Sequence, residues 1–206
     1  MRYTGPKNKA ARREQTDLGM KTLGSKAHAS LLKRLNVLPG QHGIKTRRKV
    51  SERGKQLREK QKLRVLFGIT EKQLKNYYKK AQQMKGNTSV IIGNLLEQRL
   101  DNVVYRLGFA PTRASARQLV GHRHVKVNNK VLNVSSYHVA HKDKVSLKSE
   151  ATEKIPYIES HLANKSIIIP KWLTKKADHG QIVADPTDEE IRNLVNMRSV
   201  IEYYSR

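Results

Sequence analysis

The chain has no cysteine, which excludes disulfides, cysteine-type zinc sites and thiol catalysis. Acid is scarce: 17 Asp+Glu stand against 42 Lys+Arg, for a formal net charge of +25 at pH 7. Like charge on that scale repels itself in a compact state, so a polyanionic partner is implied, either nucleic acid or an anionic membrane. Long apolar runs are missing. No window approaches the ~20 apolar residues of a spanning helix, and the amphipathic segments carry narrow stripes sized for a core. Hydrophobic residues make up 37% of the 206, with a mean hydropathy of −0.71, so the core is small and divided. The opening MRYTGPKNKAARRE lacks the apolar centre of a secretory signal, and a cytosolic location is expected. No pair among the eight histidines has HExxH spacing, and no metal site is expected.

The charge that is present is unevenly placed. Residues 1–90 hold 24 Lys+Arg against 5 Asp+Glu, net +19. Residues 91–150 hold 10 against 4, net +6, and residues 151–206 hold 8 against 8. The first 150 residues read as a nucleic-acid face, and the last 56 as ordinary surface or a protein contact.

Residues 1–50 read as an irregular basic arm with short helical pieces, punctuated by Gly5-Pro6 and Pro39-Gly40. A helix is predicted from Ser51 to Phe67, capped by Ser51 and stopped by Gly68. Thr70 with Gln73 is a capping-box pattern opening a second helix, whose stripe is Leu74, Tyr77, Tyr78, Ala81 and Met84. A third helix is predicted from Ser89 to Leu107, burying Leu96, Leu100, Val103, Val104 and Leu107 and projecting Arg99 and Arg106 to one side. Thr112 caps a fourth, Arg113 to Val120, although Ser115 three residues on weakens the box. Arg113 and Arg117 form a like-charge i,i+4 pair, which suggests an anion between them. His124–Asn128, the turn Asn128-Asn129, Val131–Val134 and Val145–Leu147 read as short strands and their connection. Ile167–Ile169 reads as a strand, Thr187 with Glu190 as another capping box, and Val200–Tyr204 as a terminal strand.

A-form RNA is met mostly through phosphates, 2′-hydroxyls and junction shape. Such a surface needs long cations on rigid supports, and guanidinium forks suit phosphate better than ammonium does. Arg99, Arg106, Arg113 and Arg117 supply them, Thr112 adds a hydroxyl, and Asn128 adds a turn amide.

Several segments carry a resemblance: RYTGP at Arg2–Pro6, RRE at Arg12–Glu14, PGQHG at Pro39–Gly43 and GKQLREKQKLR at Gly54–Arg64. So do LEQRLDNVVYRLGF at Leu96–Phe109, TRASARQLV at Thr112–Val120 and the terminal EYYSR. Together they resemble the small-subunit ribosomal protein S-four family, bacterial type. The resemblance implies an α+β chain: a mostly helical basic N-terminal domain carrying an inserted S-four-type RNA-binding domain of two helices and a small sheet. The expected division is 1–95, 96–150, and 151–206 folding back on the N-terminal domain. It further implies a structural, non-enzymatic protein without cofactors. Such a protein binds 16S rRNA at a multi-helix junction, nucleates assembly of the body and supports translational accuracy. Implied neighbours are the S-five and S-three proteins and mRNA where it enters its channel, in a cytoplasmic, ribosome-bound setting. Some members also repress their own mRNA.

The RNA contacts expected from the arm and first helices are Arg2, Tyr3, Arg12, Arg13, His42, Arg47, Arg48, Lys49, Arg58 and Lys62. Those expected from the module are Arg99, Arg106, Thr112, Arg113, Arg117, Gln118, His122 and Asn128. Many bacterial members carry a four-cysteine zinc knuckle in the arm. Asn8, Ala11, Ser25 and Ser30 take those positions here, so RNA contacts and packing are expected to order the arm instead. An RNA-modifying enzyme with an S-four-type module would need a second catalytic domain, and no Gly-rich nucleotide loop or acid/base constellation stands out. The acids Asp185, Asp188, Glu189 and Glu190 cluster at a helix start, where they favour the dipole. A histone-like DNA binder would not require the neutral tail.

Overall fold

The computed structural model describes residues 4–45, 49–149, 152, 154–162, 168–176, 179–186 and 189–205. The chain divides into two compact units, Met1–Ile92 with Asp188–Arg206, and Gly93–Thr187.

In the first unit, α1 (Lys7–Glu14) and α2 (Lys26–Leu32) lie in the arm. They are followed by α3 (Glu52–Leu66), α4 (Glu71–Gln83) and the first half of α5 (Thr88–Glu97). The predicted caps are present: Ser51 Oγ accepts from Gly54 N at 3.2 Å, and Thr70 and Gln73 form a reciprocal capping box. Leu74, Tyr78 and Ala81 are buried, while Met84 lies past the end of α4 and is exposed. The chain returns to this unit as α9 (Glu189–Leu194) and α10 (Met197–Tyr204). The terminal segment is therefore a helix, not the predicted strand. Val200, Ile201 and Tyr204 have strand propensity, but Asn196 caps a helix whose Met197 and Val200 are buried, and α10 packs on α3 and α4. Thr187 of the expected capping box lies outside the described residues.

In the second unit, α6 (Leu100–Arg106) and α7 (Arg113–Gly121) pack together. The strands β1 (Val125–Val127), β2 (Lys130–Leu132) and β3 (Lys144–Leu147) follow. After α8 (Pro156–Leu162) come β4 (Leu173–Lys175) and β5 (His179–Ile182). All neighbours are antiparallel, in the order β2-β1-β3-β5-β4. Asn128 and Asn129 both have positive φ (48° and 66°), which makes the tight β1–β2 turn. One face of the sheet supplies Val125, Val127, Val145, Leu147 and Ile182 to a core shared with Leu100, Val103, Val104, Leu107, Leu119, Val120 and Trp172.

The predicted helix Ser89–Leu107 is two helices. It breaks at Gln98-Arg99, where Arg99 is extended and pairs with His138. The carbonyls of Tyr137 and Ser135 accept from Leu100 N and Asp101 N, and Val139 N donates to Gln98 O. A distant segment thus takes the backbone groups that a continuous helix would use itself. Of the expected strand Ile167–Ile169, Ile167 lies outside the described residues, Ile168 and Ile169 form no strand, and Ile168 is 90% exposed. The strands of this stretch are β4 and β5, and they join the sheet of the second unit. Of the segment 151–206, only Asp188–Arg206 belongs with the N-terminal unit.

Candidate nucleic-acid interface

The module's arginines rest on a buried layer of acid and amide. Glu97, Arg99, Asp101 and Asn102 are each 1–4% exposed. Arg99 makes a bidentate pair with Asp101, Nε–Oδ1 3.1 Å and Nη2–Oδ2 3.0 Å. It lies inside the module and does not project beside Arg106. Arg117 reaches down from α7 to the same carboxylate, Nε–Oδ2 2.9 Å and Nη2–Oδ2 2.5 Å. Arg106 grips Glu97 bidentately, Nε–Oε2 3.0 Å and Nη2–Oε1 2.7 Å.

Asn102 links the remaining members. Its amide nitrogen donates to the Glu97 carboxylate at 2.5 Å and to the Glu97 carbonyl at 3.0 Å. Its oxygen accepts from Arg113 Nε at 2.8 Å. The Arg113 guanidinium also sits over the Tyr105 ring, 4.6 Å from the centroid. Asp101 thus offsets the charge of Arg117 from beneath, while Arg113 is held by the neutral Asn102 amide and the Tyr105 ring.

Thr112 caps α7 with a full reciprocal box. Its Oγ1 accepts from Ser115 N at 3.2 Å, and Ser115 Oγ accepts from Thr112 N at 3.1 Å. Ser115 therefore completes the box that it was expected to weaken. Thr112 is buried, whereas Gln118 and His122 are exposed. The Asn128 amide is taken up internally: Nδ2 donates to Asp143 at 2.7 Å, and Oδ1 accepts from Lys144 N at 3.0 Å.

In the first unit, Arg13 and Arg58 line a cleft of about 510 Å³ between α1 and α3, with Lys9, Gln61 and Arg64. The Glu14 carboxyl sits in its wall, 3.4 Å from Arg58. Burial raises the Glu14 pKa, and Arg58 opposes the rise only in part. Arg12 points elsewhere, donating to the carbonyls of Val37 and Leu38 at 2.8 and 3.0 Å. Lys62 is paired with Glu59 at 2.8 Å. His42 and Lys49 are exposed, and Arg2, Tyr3, Arg47 and Arg48 lie outside the described residues.

Side-chain and backbone contacts connect the described part of the arm. At two of the positions where many bacterial relatives are expected to carry knuckle cysteines, Ala11 is buried and Ser25 caps α2. Asp17 and His28 are hydrogen-bonded at 2.7 Å beside buried Leu18 and Leu31. Among the described residues, no group of three or more His, Asp or Glu could hold a metal ion. No described helix is long and apolar enough to cross a membrane.

Sequence reasoning missed Glu97, Asp101 and Asn102. Their only signal was two acids four residues apart inside a basic module. It also passed over exposed Arg123, whose positive φ of 63° marks the turn after α7.

A basic helical unit carrying an inserted module of two helices and a small sheet, with arginines paired to buried acids, has the build of a nucleic-acid-binding class of protein. Residues 2–97 match the ribosomal protein S4/S9 N-terminal domain, and residues 98–145 match the S4 domain. The whole chain aligns with proteins named small ribosomal subunit protein uS4, covering 99% of each. Identity is 43% over 208 residues with that of Thioalkalivibrio sulfidiphilus and 42% over 207 with that of Chromobacterium violaceum. It is 44% over 213 residues with that of Vesicomyosocius okutanii. The chain belongs to the small ribosomal subunit protein uS4 family. Helix α8 and strands β4 and β5 lie beyond the S4-domain match, yet β5 pairs directly with β3.

Proposed function

We propose that this chain is a structural constituent of the small ribosomal subunit that binds 16S rRNA at a multi-helix junction. In this reading it nucleates assembly of the body and supports translational accuracy. Its role is structural rather than catalytic, exercised on the ribosome in the cytoplasm. Its neighbours are the S-five and S-three proteins and mRNA where it enters its channel. The observation that carries the reading is the pairing of full-length similarity to uS4 proteins with arginines fixed on α6 and α7. With the Nε and Nη2 edges of Arg106 and Arg117 taken by Glu97 and Asp101, these guanidinium groups act on the phosphates of a folded junction as positive charges in fixed places, and the basic arm adds long-range field.

The residues assigned to RNA are Arg106, Arg113, Arg117, Gln118 and His122 of the module, with Arg13, Arg58, His42 and Lys49 of the first unit. Arg2, Tyr3, Arg47 and Arg48 are assigned on the resemblance alone. Arg99, Arg12, Lys62, Thr112 and Asn128 serve chiefly to shape the protein.

The test is binding to a small-subunit rRNA junction across a salt series. Arg113→Ala and Arg117→Ala should each weaken binding and flatten the dependence of log K on log salt by roughly 0.7–0.9 per contact. Unchanged affinity and slope would remove these residues from the interface. Recovery of the protein only in the free fraction, after salt-washed small subunits are sedimented, would sink the ribosomal reading.

A further inference from the structure

The layer beneath the arginines has a consequence that runs against simple electrostatics. Glu97 and Asp101 are negative residues inside a module that binds a polyanion. If net field alone governed binding, each would be a liability, and its removal would tighten RNA binding. The geometry points to the opposite. We propose that Glu97, with Asp101 and Asn102, are positioning residues that set the arginine forks for a structured RNA and so confer selectivity. This rests on the RNA-binding reading above.

Each of the two carboxylates holds more than one partner. Glu97 takes both a fork from Arg106 and the Asn102 amide, so it fixes two groups at once. Because the Asn102 nitrogen faces Glu97, its oxygen must face the other way, where it accepts from Arg113 Nε. Tyr105 then sets the face of that guanidinium. One buried acid thereby orients arginines on two helices. Asp101 does the same for Arg117 while tying down buried Arg99. An arginine held in this way loses less side-chain freedom on binding, so a matched phosphate geometry gains where a random one does not.

The substitution Glu97→Gln separates the two views. It raises the formal net charge by one unit from +25. Its amide would set a donor against either the Arg106 fork or the Asn102 nitrogen, so the layer is disordered although charge favours RNA. Affinity should be measured for a small-subunit rRNA junction and for a plain RNA duplex of equal length. For E97Q that remains folded by circular dichroism, junction affinity should fall roughly tenfold, the worth of one charge-assisted hydrogen bond. Duplex affinity should hold or rise. Glu97→Asp, which keeps the charge but shortens the reach, should lose the same preference. Junction binding that is unchanged or tighter in folded E97Q overturns the proposal, as do equal losses on both RNAs. If the wild type itself shows no preference for the junction, the functional reading fails instead.

Should E97Q not fold, the wild type supplies the decision. The Nε–H signals of Arg106, Arg113 and Arg117 should exchange slowly in the free protein and persist on adding junction RNA. Rapid exchange that slows only with RNA present overturns the proposal.

Discussion

The Tyr204 hydroxyl donates to Glu71 Oε1 at 2.7 Å, and the same oxygen accepts from the buried Lys60 ammonium at 2.9 Å. This three-way contact joins the last turn of α10 to α3 and to the start of α4. The Tyr204 ring stacks on Tyr78 with centroids 5.1 Å apart, and Lys60 lies 4.4 Å from the centre of the Tyr203 ring. The terminal residues are thus a clamp on the first unit.

Tyr204→Phe keeps the ring and removes only the hydroxyl. It should cost about 1–2 kcal/mol at neutral pH, the range for a hydrogen bond to a charged group in a partly exposed setting. Burial pushes the Glu71 pKa up, but hydrogen bonds from Lys60 and Tyr204 outweigh it and leave the pKa lowered. The stability that Glu71 contributes is therefore present above its unfolded pKa and lost as pH falls through the lowered folded value. The gap between wild type and Y204F in urea should narrow over that acid range. A gap that is constant with pH would show that the hydroxyl's contribution does not depend on the charge of Glu71.

Glu14 is expected to behave with the opposite sign. Its pKa is raised by burial, so the folded protein favours the protonated form. Its ionisation weakens the fold above the raised value, and the penalty fades as pH falls through it. Glu14→Gln should therefore unfold at a higher urea midpoint than wild type at neutral pH, with the difference closing in acid. A lower midpoint for E14Q at neutral pH would mean that the Arg58 contact outweighs the burial.

Much of this was legible because it was local. The Thr70–Gln73 box, the Leu74–Tyr78–Ala81 stripe and the Asn128-Asn129 turn each rest on spacing within a few residues, and each is where the sequence put it. The break at Arg99 was not legible, since carbonyls more than thirty residues away impose it. Strands β4 and β5 are LTK and HGQI, three and four residues long with little apolar alternation to read. The arginines were found by charge, but charge could not tell Arg99, buried under its own acid, from Arg13, open to solvent. Burial is the missing variable, and it depends on which distant elements pack above.

That difference can be measured directly. Arg99→Met removes one partner of a buried pair and should destabilise the second unit by about 3–5 kcal/mol. Where the variant stays folded, the salt slope of RNA binding should be unaltered. Arg13→Ala should do the reverse, leaving the urea midpoint within about 0.5 kcal/mol while flattening the slope by roughly 0.7–0.9. A flattened slope in R99M would place Arg99 at the phosphate surface after all.

Gly180 tests the packing of β5 against the helices. A Cβ built there would lie 2.3 Å from Leu107 Cδ2 and 2.8 Å from its Cγ, and Leu107 is fully buried. Gly180→Ala should cost about 1–3 kcal/mol, the usual penalty for overpacking a close-packed core. Leu107→Ala alone leaves a cavity and should cost about 2–5 kcal/mol. Combined, the two changes should cost less than their sum, because the added methyl occupies space that the leucine vacates. Strict additivity in urea unfolding would mean that β5 moves away from α6 instead of pressing against it.

The arm offers the last test, because its order should come from within the protein. Asp17 and His28 meet at 2.7 Å, Asp17 also accepts from Gly19 N at 3.0 Å, and Arg12 ties α1 to the carbonyls of Val37 and Leu38. These contacts link segments that a cysteine knuckle would otherwise join. His28→Ala removes the side-chain bond and leaves the Asp17 carboxyl half-satisfied; Arg12→Ala frees the chain before Pro39. Limited proteolysis of the free protein should then cut within residues 4–45 several-fold faster in either variant than in wild type, since cleavage follows the population of the locally opened state. Added zinc should change neither rate. Wild-type cleavage as fast as in the variants would mean that the free arm is not held by these bonds, and that only RNA orders it.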